Sequence, residues 1–225
     1  AYYLDGKRLI YSSGTIGKEG AVYYLESDPF TKVIVHGTYT TSTANTWFEV
    51  QSSTGQICYY GNTTGARQSY TAGNFPRIYA WYLDYVEDPL GNYMNYTYNK
   101  WSYCMYPNTI MYGNNKNGST GLQNTVTFSY ETRSNDPQLF VIEGVKGTMD
   151  RRLKTITSKT GNSVYRVYDL QYNTTGDASG TKYSRLTSVT ERNGAGDVMQ
   201  PVKLNWSYLP SLYSIPVSPQ VNAAS

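Results

Sequence analysis

The chain has 225 residues, a net charge of +3 and only 16% charged residues, with 25 tyrosines against 5 phenylalanines. Its length suits one large all-β domain or two small ones, and no apolar run approaches the roughly 18 residues of a membrane helix, so no membrane span is expected. Positive charge clusters only within residues 146–154. This cluster is too small for a nucleic-acid footprint, so no nucleic-acid partner is expected.

Apolar side chains alternate with polar ones along most of the chain, which is typical of half-buried antiparallel strands. The clearest runs are residues 125–130, 167–172 and 202–208, and turn signals such as Leu4-Asp5-Gly6 separate them. We therefore expect an all-β fold: an antiparallel meander of stacked hairpins in an open or curled sheet. Residues 1–208 form one expected domain, with a subdivision near 135–150 as the alternative.

Residues 80–101 read AWYLDYVEDPLGNYMNYTYNKW, two aromatic-rich runs separated by a turn signal. They predict one hairpin, because Pro, Gly and Asn favour the backbone angles of a tight reversal. Aromatic side chains are expected to pair across its two strands, at about 0.2–1 kcal/mol for each pair. The residues assigned to this structural hairpin are Trp81, Leu83, Tyr85, Asp88, Gly91, Asn92, Met94, Tyr96 and Tyr98.

Carboxylates near the turn offer the best candidate for a ligand site. Asp84 and Asp88 could bind a cation, but Asp88 more often accepts backbone N–H groups at the start of such a turn. His36 is the only histidine, and no nucleophile motif accompanies it. We therefore expect no catalytic residue, no enzyme activity, no metal centre and no cofactor.

Cysteines and tryptophans leave two further questions open. Cys58 and Cys104 fit either one disulfide or two buried thiols. Surface tryptophans could stack on sugar rings, which makes a glycan a candidate partner, although tryptophan in strand patterns usually belongs to the core. The four candidates are Trp47, Trp81, Trp101 and Trp206.

A weak internal repeat lies near the end of the chain. RLKTITSKTGNSVYRVYDLQY (152–172) is similar to RLTSVTERNGAGDVMQPVKLNW (185–206), and each segment opens with Arg-Leu-x-[Thr/Ser]-[Ile/Val]-Thr. Repeated hairpin units extend a structure by stacking on one another. Residues 209–225 carry three prolines and are expected to form an extended tail or linker.

Five segments occur in a fixed order along the chain: Leu4-Asp5-Gly6, Phe48-Glu49-Val50, Gly55 through Tyr60-Gly61, Trp81 through Tyr98, and Ser184–Glu191. Together they resemble the SpvB-like N-terminal region of the B component of bacterial Tc toxin complexes, within the Rhs/YD-repeat superfamily. The resemblance spans residues 4–206, nearly the whole chain.

The resemblance implies a non-enzymatic β-shell or scaffold that encloses another molecule, in a secreted or extracellular setting, with the cell surface as an alternative. Its partners would be other segments of a larger shell polypeptide or identical subunits. The chain has no long array of YD repeats, so it fits either a fragment or a free-standing relative. Two further hypotheses are an extracellular filament assembled by exchange of strand edges or tails, and a carbohydrate-binding or adhesive domain.

Overall fold

The computed structural model describes residues 1–40, 44–72, 75–118, 121, 123–142, 144–173 and 183–206. Strands dominate these residues, and their one helix is a short 3-10 turn, Thr64–Ala66. None of the described segments is a helix long and apolar enough to cross a bilayer. The predicted tail at 209–225 lies outside the described residues.

Alternating sequence runs become the strands of the fold, numbered here in chain order. Their bounds are β1 Tyr3–Leu4, β2 Lys7–Ser13, β3 Val22–Leu25, β4 Asp28–His36, β5 Trp47–Gln51, β6 Ile57–Tyr60, β7 Arg67–Ala72, β8 Phe75–Trp81, β9 Leu83–Glu87, β10 Asn92–Trp101, β11 Cys104–Asn115, β12 Asn124–Thr132, β13 Gln138–Ile142, β14 Val145–Met149, β15 Arg151–Thr160, β16 Ser163–Asn173, β17 Arg185–Asn193 and β18 Val202–Lys203.

Fourteen of these strands form one open sheet in the order β1-β2-β3-β4-β5-β6-β9-β10-β11-β12-β15-β16-β17-β18. Sheet order follows chain order, and neighbouring strands pair antiparallel throughout. The two remaining pairs, β7-β8 and β13-β14, are separate hairpins inserted into the meander. The all-β antiparallel meander predicted from the sequence is confirmed.

The alternative subdivision of the chain was placed near residues 135–150, and this region contains the β13–β14 hairpin. Thr132 of β12 lies opposite Arg151 of β15, so the main sheet continues directly past the insertion. The hairpin forms a separate two-stranded sheet and does not interrupt the main one.

The hydrophobic core lies in the first half of the sheet, on one face of β2 to β5. Its buried members are Leu9, Ala21, Tyr23, Leu25, Val33, Val35, Phe48 and Val50. Tyr2 and Trp81 cover this face, with ring centroids 5.0 and 4.9 Å from that of Phe48. The chain start and the end of β8 therefore act as a second layer over the core.

The second half of the sheet is different, because every residue of β17 and most of β15 are only half-buried. Arg192 contacts Asp169 at 2.6 Å, and Arg166 contacts Glu191 at 2.9 Å. Strand alternation places these two ion pairs on opposite faces. Both faces of this half therefore carry polar groups, as expected of a single-layer sheet.

Candidate functional site

The predicted aromatic hairpin forms, but it begins later than the sequence suggested. Trp81 ends β8 and pairs with Arg67 in the inserted hairpin, so it does not belong to the strand that carries Leu83 and Tyr85. The backbone of Tyr82 causes the break, since it bonds to Gly61 and Ala66 instead of continuing the strand. The Trp81 indole donates to the Thr46 carbonyl at 2.6 Å and packs into the core.

Aromatic contacts between the two arms of this hairpin involve Tyr82 and Tyr93, which were not among the residues assigned to it. Tyr85 lies opposite Asn95, and Met94 lies opposite Val86. Tyr85 instead stacks on Tyr93, with centroids 5.6 Å apart. A second contact joins Tyr82 to Tyr98 at 5.3 Å.

Asp88 organises the turn between these strands. Its Oδ1 accepts the backbone N–H groups of Leu90 and Asn92, both at 2.9 Å, and its Oδ2 accepts the Asn92 side-chain amide at 2.8 Å. These bonds, the Asn92 side-chain amide first, lower the pKa of the Asp88 carboxyl. Gly91 supplies a φ of +82°, which other residues adopt only with strain.

Asp84 has a different role, so the structure does not combine Asp84 and Asp88 into one site. Asp84 is 4% exposed, its Oδ2 accepts the Thr63 N–H at 2.5 Å, and its Oδ1 has no partner. Burial raises the pKa of this carboxyl. Within the described ranges, no group of three or more His, Cys, Asp or Glu side chains is arranged to hold a metal ion.

A repeated structural feature that was not predicted from the sequence runs across the main sheet. Four strands, β6, β10, β12 and β16, are here called leading strands, and the strands that follow them in the sheet, β9, β11, β15 and β17, are called return strands. In each pair, a tyrosine of the leading strand lies opposite a β-bulge, where the return strand has one extra residue. The tyrosines and their extra residues are Tyr60 with Asp84, Tyr98 with Asn108, Tyr130 with Lys154, and Tyr172 with Thr187.

Aromatic side chains also connect one such pair to the next. Tyr98 donates its hydroxyl to the Leu83 carbonyl at 2.6 Å, Tyr130 donates to Pro107 at 2.7 Å, and Tyr172 donates to Leu153 at 2.7 Å. Each accepting residue directly precedes the extra residue of the previous bulge. We call this arrangement, with the four tyrosines and their bulges, the tyrosine–bulge ladder.

The internal repeat was the sequence signal for this ladder. Its two Arg-Leu-x-[Thr/Ser] segments are the bulges of β15 and β17, at Leu153-Lys154-Thr155 and Leu186-Thr187-Ser188. Desolvation raises the pKa of Tyr60 and Tyr98 to about 12. Burial also raises the pKa of Tyr130 and Tyr172, so the hydroxyls of all four ladder tyrosines are neutral at physiological pH.

The remaining candidate residues are engaged within the fold. His36 stacks on Trp47 at 4.2 Å, and its two ring nitrogens lie 3.0 Å from Glu19 and 3.2 Å from Glu49. Trp101 packs against Tyr130 with centroids 5.7 Å apart.

The cysteines do not pair. Cys58 and Cys104 are free thiols, and burial raises the pKa of both. Trp206, in contrast to the other three tryptophans, is 52% exposed and keeps an open ring surface.

Comparison with known proteins identifies the fold but no close relative. No family model matches the sequence, and no curated protein matches it. The N-terminal domain of the effector protein SpvB from Salmonella typhimurium strain LT2 is similar in structure, with a TM-score of 0.62 and 14% identity over 84% of this chain and 79% of that one.

Two toxin structures share the same architecture. A TcdB2-TccC3-Cdc42 structure gives a TM-score of 0.66 at 14% identity, over 89% of this chain and 13% of that one. The pore of the Photorhabdus luminescens Tc holotoxin gives 0.64 at 15% identity, over 88% of this chain and 12% of that one. This chain thus has the fold of the SpvB N-terminal domain and of a short region of the Tc toxin chains.

Proposed function

We propose that the chain is a structural β-shell or scaffold module of the Tc-toxin type, and that it acts by enclosing or supporting another molecule rather than by catalysis. One observation carries this proposal: the main sheet is an open meander built from repeated strand pairs. Such a sheet grows by adding further pairs at its edge, which suits a wall.

Two features support a role as part of a larger assembly. The second half of the sheet is a single layer with half-buried faces, so a neighbouring segment would gain stability by covering it. The chain also matches only 13% and 12% of the two toxin chains, whose names describe multi-component assemblies. The partners are therefore other segments of a shell polypeptide or further subunits, in a secreted or extracellular setting.

Negative-stain electron microscopy of the native material, purified without refolding, tests this proposal. An antibody against the chain identifies the particles that contain it. Closed hollow particles much larger than one 25.3 kDa chain are the expected result. A free monomer throughout the purification would overturn the proposal.

The filament hypothesis is kept as an alternative, because the sheet has two open edges at β1 and β18 among the described strands. Regular fibres with a subunit-sized repeat in the same micrographs would favour it. Such fibres would indicate that the chain is a subunit of a polymer and does not enclose another molecule.

A further inference from the structure

The last strand of the sheet repeats the geometry of the earlier leading strands. Trp206 donates its Nε1 to the Leu186 carbonyl at 2.7 Å, as the ladder tyrosines donate to Leu83, Pro107 and Leu153. Leu186 directly precedes the extra residue Thr187, so the acceptor position is also equivalent. Trp206 thus occupies the place of the next ladder tyrosine.

The strand register supports this equivalence independently. In each case, the residue three positions before the donating aromatic pairs with the residue that directly follows the extra residue of the previous bulge. These pairs are Asn95 with Tyr85, Thr127 with Thr109, Asp169 with Thr155, and Lys203 with Ser188. Residues 202–206, which begin with β18, therefore lie in the position and register of a leading strand, equivalent to β10, β12 and β16.

This leading strand differs from the others in one respect. β10, β12 and β16 are each covered on the outer side by a return strand, whereas no described strand covers β18. Its apolar side chains are correspondingly exposed: Val202 by 65%, Leu204 by 37% and Trp206 by 52%. An apolar, uncovered edge strand is a template for adding another strand.

We propose that the outer edge of residues 202–206 binds an antiparallel β-strand of the return-strand type, supplied by a neighbouring segment of the shell. The inference rests on the proposed scaffold function and identifies residues 202–206 as the edge at which the sheet of the shell is extended. The partner strand carries [Leu/Pro]-x-[Thr/Ser], as in β11, β15 and β17, and forms a bulge with its Leu or Pro opposite Trp206. Its backbone bonds to the outward N–H groups of Lys203 and Asn205, because the Leu204 N–H bonds inward to Thr187.

A peptide with the sequence of residues 184–193, SRLTSVTERN, is the probe, because β17 is itself a return strand. Fluorescence anisotropy of the labelled peptide measures binding to the full chain. The matched control peptide has the same sequence without Thr187, so it has no extra residue with which to form the bulge. We expect it to bind about tenfold more weakly, since removing one residue turns the following side chains to the opposite face.

Variants of the chain locate the binding surface. Trp206→Ala removes the ring opposite the peptide's leucine, and we expect it to weaken binding by about tenfold. Phe30→Ala is the matched control, because Phe30 is 75% exposed on β4, far from this edge in strand order. Its binding is expected to equal that of the unchanged chain.

Amide hydrogen exchange by NMR identifies the strand that the peptide joins. Slower exchange at Lys203 and Asn205 on addition of the peptide is the expected result. Loss of protection along β17 would mean that the peptide displaces that strand, and would overturn the proposal. Protection of Lys203 and Asn205 before any peptide is added would mean that the chain's own residues fill the edge, with the same consequence.

Equal affinity of the two peptides would also overturn the inference, because recognition would then not depend on the bulge. The scaffold proposal is judged separately by microscopy of the native particles. Hollow particles together with a failed peptide test would show that the shell grows elsewhere than at residues 202–206.

Discussion

Tyrosine suits the ladder because one side chain performs two tasks. Its ring packs against neighbouring side chains, and its hydroxyl donates a hydrogen bond to a backbone carbonyl of the preceding return strand. Tyr130 is a clear case, since its ring packs on Tyr106 at 5.2 Å and its hydroxyl donates to Pro107 at 2.7 Å. This double role explains why tyrosine rather than phenylalanine occupies the positions of Tyr98, Tyr130 and Tyr172.

Tyr130→Phe tests the value of a ladder hydroxyl. The substitution keeps the ring but leaves the Pro107 carbonyl without its donor, so we expect the free energy of unfolding to fall by about 1 kcal/mol. Urea denaturation measures the change. Tyr3→Phe is the control, because Tyr3 is 64% exposed and its substitution should have almost no effect. Equal effects of the two substitutions would contradict a structural role for the hydroxyl.

Two buried aspartates are expected to respond in opposite directions when their charge is removed. Asp136 accepts bonds from Arg133 at 2.8 Å and from the Ser184 N–H at 2.5 Å. These partners, Arg133 first, hold its pKa well below the usual 3.8. Asp84 has one unpartnered oxygen, and burial raises its pKa. Asp136→Asn should therefore destabilise the fold by about 2 kcal/mol, and Asp84→Asn should stabilise it by up to about 1 kcal/mol.

The pH dependence gives the sign of each effect. The stability from Asp136 is present above pH 3.8 and is lost as the pH falls towards its lower folded-state pKa. Burial of Asp84 is unfavourable only for the ionised carboxylate, so this destabilisation appears as the pH rises above the usual carboxyl pKa of 3.8. The gain in stability from Asp84→Asn should therefore vanish in acid. Urea denaturation at neutral and at acidic pH measures both trends. Destabilisation by Asp84→Asn at neutral pH would show that its charge is needed.

At the scale of single elements, the turn at residues 88–92 sets the position of the β9–β10 hairpin. Gly91 has a φ of +82°, and a Cβ there would lie 3.1 Å from the Lys116 side chain. We expect Gly91→Ala to cost about 1–3 kcal/mol of unfolding free energy. Gly65→Ala is the control, because Gly65 has no atom within 4 Å of an added Cβ and no positive φ. Thermal unfolding followed by circular dichroism compares the two, and equal melting temperatures would show that the turn tolerates other residues.

Local signals were sufficient to predict strands and this turn from the sequence. Alternation over residues 125–130 and 167–172 identified parts of β12 and β16, and the Asp88 and Gly91 positions followed from turn chemistry. Trp81 was misplaced because the strand breaks through backbone bonds from Tyr82 to Gly61 and Ala66, which are distant in sequence. No local pattern encodes such a contact.

The bulges could not be predicted from the sequence for a related reason. A bulge is one extra residue on one strand relative to its partner, so it exists only in the register between two strands. Lys154 and Thr187 look like ordinary alternating residues until β12 and β16 are placed beside them. The repeated Arg-Leu-x-[Thr/Ser] motif lies at the bulges of β15 and β17, but only the pairing with β12 and β16 identifies these residues as bulges.

At the scale of the whole molecule, many partly buried tyrosines with raised pKa values make the fold sensitive to alkali. The pKa of Tyr60 and of Tyr98 is raised from 10.0 to about 12, mainly by burial. A raised folded-state pKa means that their contribution is complete below pH 10 and is lost as the pH rises towards 12. We expect cooperative unfolding within this window, with tyrosinate absorbance rising together with the loss of strand signal in circular dichroism. Ionisation of all tyrosines near pH 10 in a still-folded chain would contradict this.

The uneven burial of the sheet predicts uneven stability along it. Val33 and Val35 in β4 are at most 1% exposed, whereas every residue of β17 is only half-buried. Local opening is easiest where few apolar groups are buried, so β15 to β17 should exchange their amide hydrogens faster than β3 to β5. Hydrogen exchange of the isolated chain measures the difference, and uniform protection would show that the sheet opens as one unit.

The same measurement on the native assembly connects stability to function. If the second half of the sheet is a wall between neighbouring segments, contact with them should slow exchange in β15 to β17 and leave the already covered β3 to β5 almost unchanged. The core strands thus serve as the internal control. Unchanged exchange in β15 to β17 within the assembly would mean that this half faces solvent there as well, and that partners contact the chain elsewhere.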